Sequence, residues 1–351
     1  MMTQTIVMDG MEIPYEGNKT VLQVARENGI YIPSLCYHPR TGPASMCRIC
    51  VVDVDGMRAL QPACALIPKE GLKIQTASPR VLEARRMVVN LLLANGNHDC
   101  LSCEVNGDCE LQDAAYHLGI ETPAFLVEEW EERDNSAAFI LRDPNKCIQC
   151  GRCIEGCNRL VVNEVLDFGY RGGHTKVICD ADLPMGQSTC VQCGECVQLC
   201  PVGALVEKKG MGKARRWETR KVRTTCPYCG VGCQLELHVK GDQIIRVTGV
   251  EGAQPNQGQL CVKGRYGYDF IYSKDRLTSP LIREGNGFRE ASWDEALGLV
   301  ATQFNQIIRE SGPDAIAGVS CSRSINEDSY NMQRLFREVI GTNNIDNCAR
   351  V

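Results

Sequence analysis

Hydrophobic and polar positions alternate over residues 5–16, TIVMDGMEIPYE, on both sides of Asp9 and Gly10. A period of two centred on such a pair predicts a β-hairpin. The next stretch, residues 20–28 (TVLQVAREN), reads as a short helix stopped by Gly29. A longer helix is marked by Ser78 as N-cap, Pro79 in the first turn, an apolar run to Ala94 and Gly96 beyond its end. Its segment Met87 to Ala94 is the longest apolar stretch and is interrupted by Asn90. A membrane span needs about 20 apolar residues, so none is expected. Further along, LELHVKGDQIIRVTG is strand-like and fits a small β subdomain. Residues 315–320 (AIAGVS) read as a strand, and 326–340 as a helix closed by Gly341. The class expected is α+β, and the length suggests two or three domains.

Composition changes the picture at one point. The 351 residues include 22 cysteines, with a formal net charge of -5 and only 6% aromatic residues. The first residues, MMTQTIVMDG, hold neither a basic nor an apolar signal region, so a reducing cytoplasmic setting is expected, where disulfides do not persist. An acidic chain without a long basic face is a poor nucleic-acid binder. No Ser–His–Asp set, Gly-rich phosphate loop or nucleotide fingerprint is present, which weakens hydrolase and direct NAD-binding readings. Metal is the leading reason for so many thiols.

Spacing sorts the cysteines into five groups. Cys147, Cys150, Cys153 and Cys157, then Cys190, Cys193, Cys196 and Cys200, both read C-x2-C-x2-C-x3-C, and Pro201 follows the second. Three thiolates on one tight loop wrap one face of a cubane, and the fourth ligates the neighbouring cluster. One [4Fe–4S] centre is therefore expected on Cys147, Cys150, Cys153 and Cys200, and a second on Cys190, Cys193, Cys196 and Cys157. A pair of four-cysteine zinc sites is the rival. Cys36, Cys47, Cys50 and Cys64 keep the paired-plus-distant logic of a [2Fe–2S] site. Hairpin, helix and cysteine loop in that order suggest a small β-grasp ferredoxin.

Cys100, Cys103 and Cys109 are three thiolates where a cubane needs four ligands, and His98 could supply the fourth; its other reading is a solvated loop histidine. Cys226, Cys229, Cys233 and Cys261 form the last group, with Gly230 and Gly232 suited to tight packing on a cluster. Lys263, two residues past Cys261, is either a carrier of charge between this cluster and a neighbouring cofactor or a plain surface lysine. Cys179, Cys321 and Cys348 are left over, and Cys179 reads as a buried structural thiol.

Taken in order, residues 1 to about 205 resemble the N-terminal part of the large iron–sulfur subunit of respiratory complex I and the N-terminus of iron-only hydrogenases. The [2Fe–2S] module, the three-cysteine group followed by Glu110-Leu111-Gln112, and the two-cluster unit carry that likeness. The family usually has H-x3-C before the second group, where this chain has Gly96. From about residue 222, the stretches CPYCGVGC, LCVKGRYG, RLTSPL and SWDEAL resemble molybdopterin oxidoreductases, above all formate dehydrogenases. The composite is most similar to the α subunit of cytosolic NAD(P)-linked formate dehydrogenases.

The resemblance implies a β-grasp [2Fe–2S] domain over 1–78, a His/Cys3 [4Fe–4S] segment over 79–120, a two-cluster ferredoxin-like domain over 138–207, a basic linker over 208–221, a [4Fe–4S] domain over 222–278 and the incomplete start of a molybdopterin oxidoreductase domain over 279–351. It implies molybdenum or tungsten on two pterin guanine dinucleotides in the full-length protein, with Lys263 and Arg265 as candidate cofactor-binding residues and Lys263 as the catalytic candidate. Formate or CO2 would be the substrate, and an NADH-binding flavoprotein like that of complex I the partner. A complex I-like NADH:quinone subunit and a non-catalytic electron-transfer subunit ending at Val351 are the alternatives. In related formate dehydrogenases, the stretch GTNNIDNCARV is followed at once by a metal-binding selenocysteine or cysteine, so a UGA codon after Val351 is expected, and a chain without that ligand is expected to be inactive on formate alone. The acidic run EEWEERD, residues 128–134, reads as a surface connection.

Overall fold

The computed structural model describes residues 4–125 and 132–349; residues 128–131 of the acidic run lie outside them. The chain divides into two units, Met1–Arg220 with His238–Arg246, and Lys221–Leu237 with Val247–Val351.

The first unit begins with a β-grasp. Strands β1 (Gln4–Met8) and β2 (Met11–Tyr15) pair antiparallel around Asp9 and Gly10, whose φ angles of 49° and 85° are those of a tight hairpin turn. Helix α1 (Val21–Glu27) starts at Thr20, whose hydroxyl accepts from the Gln23 N–H while the Gln23 side chain accepts from the Thr20 N–H. With β3 (Val51–Val54), β4 (Gln61–Pro62) and β5 (Lys73–Gln75) the sheet has the order β2-β1-β5-β3-β4, parallel only between β1 and β5. Alternate residues Ile6, Met8, Ile13 and Tyr15 turn inward and meet Val21, Leu22, Val24 and Ala25 of the helix.

Helix α2 (Pro79–Leu93) is capped by Ser78, whose Oγ accepts from Val81 N. Val81, Arg85 and Val89 lie four apart, and all three are buried on its inner face. Helix α3 (Glu110–His117) packs beside it, with Leu111 and Ala114 in the same core as Val89. The ferredoxin-like part is closed by an antiparallel pair, β6 (Ile140–Arg142) with β9 (Leu205–Glu207). Between them lie α4 (Arg152–Glu155), a π-helical turn at Gly156–Val161, a hairpin of β7 (Leu166–Gly169) and β8 (Lys176–Cys179), and α5 (Glu195–Leu199). The long insert between the two cysteine runs is thus largely this hairpin, and Cys179 at its end is buried in the local core.

Strands β10 (Arg220–Thr225), β11 (Gln234–Lys240) and β12 (Gln243–Gly249) form a three-stranded sheet in that order. The second unit continues with α6 (Val262–Tyr266), the hairpin β13 (Leu281–Glu284) and β14 (Gly287–Glu290), and the 19-residue helix α7 (Trp293–Ser311). Strand β15 (Gly318–Ser320) then pairs in parallel with β16 (Ile345–Asn347). The crossover consists of α8 (Asn326–Arg334) and a π-helical segment, Leu335–Ile340, ended by Gly341 at φ 87°. The helix expected over 326–340 therefore changes its winding midway. Among the described residues no helix is long and apolar enough to cross a membrane.

Candidate metal centres

The first group sits on the edge of the β-grasp core, where Cys36, Cys47, Cys50 and Cys64 are all buried. The four sulfurs crowd one another. Cys47 and Cys64 hydrogen-bond to Cys36, which lowers the Cys36 thiol to about 2; Cys64 does the same for Cys50, lowering it to about 7. Cys47 and Cys64 are pushed up in turn by Cys36. Four buried sulfurs that hydrogen-bond to one another are a donor set in which a cationic core can replace the protons. Arg85 of α2 donates to the carbonyls of Ile49, at 3.1 Å, and Val51, at 2.8 Å, on either side of Cys50. A buried guanidinium thereby fixes the loop and sets a positive charge beside it.

The two ferredoxin-like runs carry the same backbone devices at the same places. Gln149 and Gln192 have φ of 52° and 50°, and Gly151 and Gly194 have φ of 76° and 78°. The left-handed turns aim backbone N–H groups at sulfur: Gln149 N–H donates to Cys147 Sγ at 3.4 Å and Gln192 N–H to Cys190 Sγ at 3.3 Å. Cys200 acts electrostatically on Cys147, Cys150 and Cys153, and more weakly than Cys157, Cys190 and Cys193 on Cys196. The fold thus brings each run's fourth cysteine to the other run's loop. A cavity of about 40 Å³ is lined by Cys147, Cys150, Cys153 and Cys200 with Ile148, Leu166 and Val202. Burial pushes the Cys147 thiol up to about 11 and raises those of Cys150 and Cys153. Neutral thiols are what such a pocket holds without metal, and a core that binds thiolates fits it.

In the second group, Cys100 and Cys103 both act on the Cys109 thiol, which burial raises to about 11. His98, Cys100 and Cys109 line one cleft of about 640 Å³. His98 Nε2 donates to the Leu92 carbonyl at 3.1 Å, and burial lowers its pKa. The ring is therefore held neutral with its proton on Nε2, which leaves the Nδ1 lone pair for a metal. A side chain at position 96 has no room, since a Cβ on Gly96 would stand 2.0 Å from the Asn145 carbonyl oxygen. The basic stretch after residue 207 is not free in water. Arg215 donates to the Cys103 and Leu101 carbonyls, Arg216 pairs with Asp108, and Trp217 covers Gly107. Asp134, at the end of the acidic run, is likewise tied down, to Arg142 and the Met185 N–H.

In the second unit, Cys226, Cys229 and Cys261 all act on Cys233. Cys261 caps α6, and a Cβ on Gly264 would lie 3.4 Å from Cys226 Sγ, so a helix turn packs directly on the thiol. Burial raises the Cys226 thiol, and the charge of exposed Lys263 opposes that rise in small part, whereas Arg265 is buried. Asn326, the first residue of α8, donates to the Gly230 carbonyl at 2.7 Å and so ties the parallel strand pair to the cysteine loop. Cys321 and Cys348, outside all five groups, end the paired strands β15 and β16 with their sulfurs 3.5 Å apart.

Among the described residues no three His, Cys, Asp or Glu side chains close round a single ion.

Comparison with known proteins gives the order of modules. A 2Fe-2S iron-sulfur cluster binding domain matches residues 3–79, the NADH-ubiquinone oxidoreductase-G iron-sulfur binding region 85–124, and a 4Fe-4S dicluster domain 146–204. The molybdopterin oxidoreductase Fe4S4 domain matches 219–273, and the molybdopterin oxidoreductase family itself 276–351. The last third of the chain is thus similar to molybdopterin oxidoreductases. The chain's α+β iron–sulfur modules precede the catalytic-type domain in the expected order.

Relatives of the chain include "Probable oxidoreductase YjgC" and "Putative formate dehydrogenase YrhE" of Bacillus subtilis, each 36% identical over 99% of the chain. A Staphylococcus aureus protein, "Putative formate dehydrogenase SAUSA300_2258", is 32% identical over 98% of it. The chain spans about two fifths of the length of these relatives, 39–40%. Among solved structures, an NAD+-reducing [NiFe]-hydrogenase matches 61% of this chain and 91% of its own, at 34% identity and a TM-score of 0.57.

The spacing of the sequence does not single out Arg85, Arg152, Glu195 or Arg40. Aligning the two ferredoxin-like runs would have exposed two of them, because Arg152 and Glu195 hold the same place in each.

Proposed function

We propose that the chain is the iron–sulfur electron-transfer portion of a formate dehydrogenase. On this reading it links formate oxidation, or CO2 reduction, at a pterin-held molybdenum or tungsten to an NADH-binding flavoprotein partner in the cytoplasm. The observation that carries the reading is the clustering of 19 cysteines in five sets, four of them in one unit, ahead of a molybdopterin oxidoreductase domain. When bound, iron–sulfur clusters supply one-electron steps, which connect a two-electron substrate to a flavin.

The chain's own residues have definite tasks. Cys36, Cys47, Cys50 and Cys64 would hold the [2Fe–2S] core. His98, through Nδ1, with Cys100, Cys103 and Cys109 would hold one [4Fe–4S] core, and the two crossed sets at 147–200 two more. Cys226, Cys229, Cys233 and Cys261 would hold the last, and Lys263 and Arg265 are the candidate residues to bind the pterin. The likeness to the NAD+-reducing hydrogenase chain supports a nicotinamide-linked partner, and the names of the relatives support formate.

Anaerobic preparation of the chain with iron and sulfide should give about 18 irons per chain. Reduction of the clusters in the longer protein by formate, without quinone, should follow. Quinone-dependent turnover that ignores formate would favour the complex I-like alternative. A colourless protein free of acid-labile sulfide would overturn the electron-transfer reading itself.

A further inference from the structure

The two ferredoxin-like runs are near copies, CIQCGRCIEGC from Cys147 and CVQCGECVQLC from Cys190. Their backbones share the positive-φ glutamine and glycine. At one inward place they carry opposite charges. Arg152, between Gly151 and Cys153, is 3% exposed, and Glu195, between Gly194 and Cys196, is 1% exposed. Such side chains are buried only when paired.

Each pair reaches into another cysteine group. Arg152 donates to both carboxylate oxygens of Glu110, at 2.6 and 2.7 Å, and to the Ser34 carbonyl at 3.3 Å. Glu110 directly follows Cys109. Glu195 pairs with Arg40, which lies in the loop between Cys36 and Cys47. The near end of each pair stands at its own cluster. Arg152 acts electrostatically on Cys150 and Cys200. The Glu195 side chain runs from Cys196 to Gly156, whose Cβ position is 3.6 Å from its Cγ and which precedes Cys157.

We propose that Arg152 and Glu195 order the reduction potentials of the two neighbouring clusters. Arg152 raises that of the centre on Cys147, Cys150, Cys153 and Cys200, and Glu195 lowers that of the centre on Cys190, Cys193, Cys196 and Cys157. The inference rests on reading those cysteines as cluster ligands. Reduction adds one electron to a centre, and a fixed positive charge in a low-dielectric setting stabilises it while a negative one opposes it. Glu110 is half-exposed, so water screens its charge, whereas Arg40 is buried with Glu195 and offsets part of its effect. Two loops of one backbone design thereby acquire different potentials from a single buried position.

The test is an anaerobic potentiometric titration, followed by electron paramagnetic resonance, of the full chain loaded with iron and sulfide. Arg152→Gln should move one [4Fe–4S] component to lower potential, and Glu195→Gln should move a different component to higher potential. Arg152→Lys should restore most of the first shift. Glu110→Gln breaks the same bridge as Arg152→Gln from its exposed end, and should move the same component the opposite way. A merely structural bridge would give shifts of one sign from both ends. Shifts of one sign, or none, at full iron content would overturn the proposal. Iron or sulfide missing from the unsubstituted chain would instead defeat the cluster reading beneath it.

Discussion

Single atoms decide several of these sites. Gly203 lies where a Cβ would be 2.6 Å from Cys103 Sγ and 3.2 Å from Val105 Cγ2. Gly203→Ala should push Cys103 out of place, and iron analysis should then find about four fewer irons per chain. Unchanged iron would remove Cys103 from the ligand set. Cys179 offers a different check, because it is fully buried and outside the five groups; burial pushes its thiol up to about 12. A raised folded-state pKa favours the protonated form. The stabilising contribution is complete below the unfolded value near 9 and is lost as pH rises toward 12. The melting temperature should fall over that window, and Cys179→Ala should flatten the fall; an identical pH profile in the variant would refute the assignment.

At the scale of elements, caps and turns hold the ligand loops in place. Helix α2 carries Arg85 to the [2Fe–2S] loop and ends just before His98, so its stability serves two cysteine groups at once. Ser78 caps it, accepting from Val81 N and donating to Asp53 Oδ2 at 3.2 Å. Ser78→Ala should cost about 1 kcal/mol in chemical denaturation of the loaded chain, with cluster content intact. The hairpin, both early helices and the cysteine runs were legible because their signals are local: a turn pair, a cap, or thiols two residues apart. The winding change at Leu335 was not, since nothing in the side-chain pattern of 326–340 distinguishes an α from a π turn. Nor was the anchoring of Arg215, Arg216 and Trp217 on the second cysteine loop, which depends on residues about a hundred positions earlier.

At the scale of the whole molecule, buried thiols stand where a larger apolar core would otherwise be. With few aromatics and many cysteines, the proposed clusters would also be structural components. Removing iron anaerobically with a chelator should therefore abolish most of the circular dichroism of the first unit, and reloading should restore it. Full secondary structure in an iron-free sample would show that the polypeptide folds without its clusters. Loading should also make the chain far more acidic than its formal -5, since five thiolate-bound cores add roughly nine negative charges. An electrophoretic shift on loading measures this directly.

The sequence by itself determined how the thiols are grouped along the chain, because short and regular spacing survives in one dimension. It also determined the order of modules, since each has its own local signature. Only the tertiary structure decided what surrounds each set. The charges of Arg85, Arg152, Glu195 and Arg40, the neutral tautomer of His98 and the closure of Asn326 on Gly230 all arise from contacts between distant segments. A buried charge needs a partner, and the partner's place in the chain is fixed by folding and not by spacing.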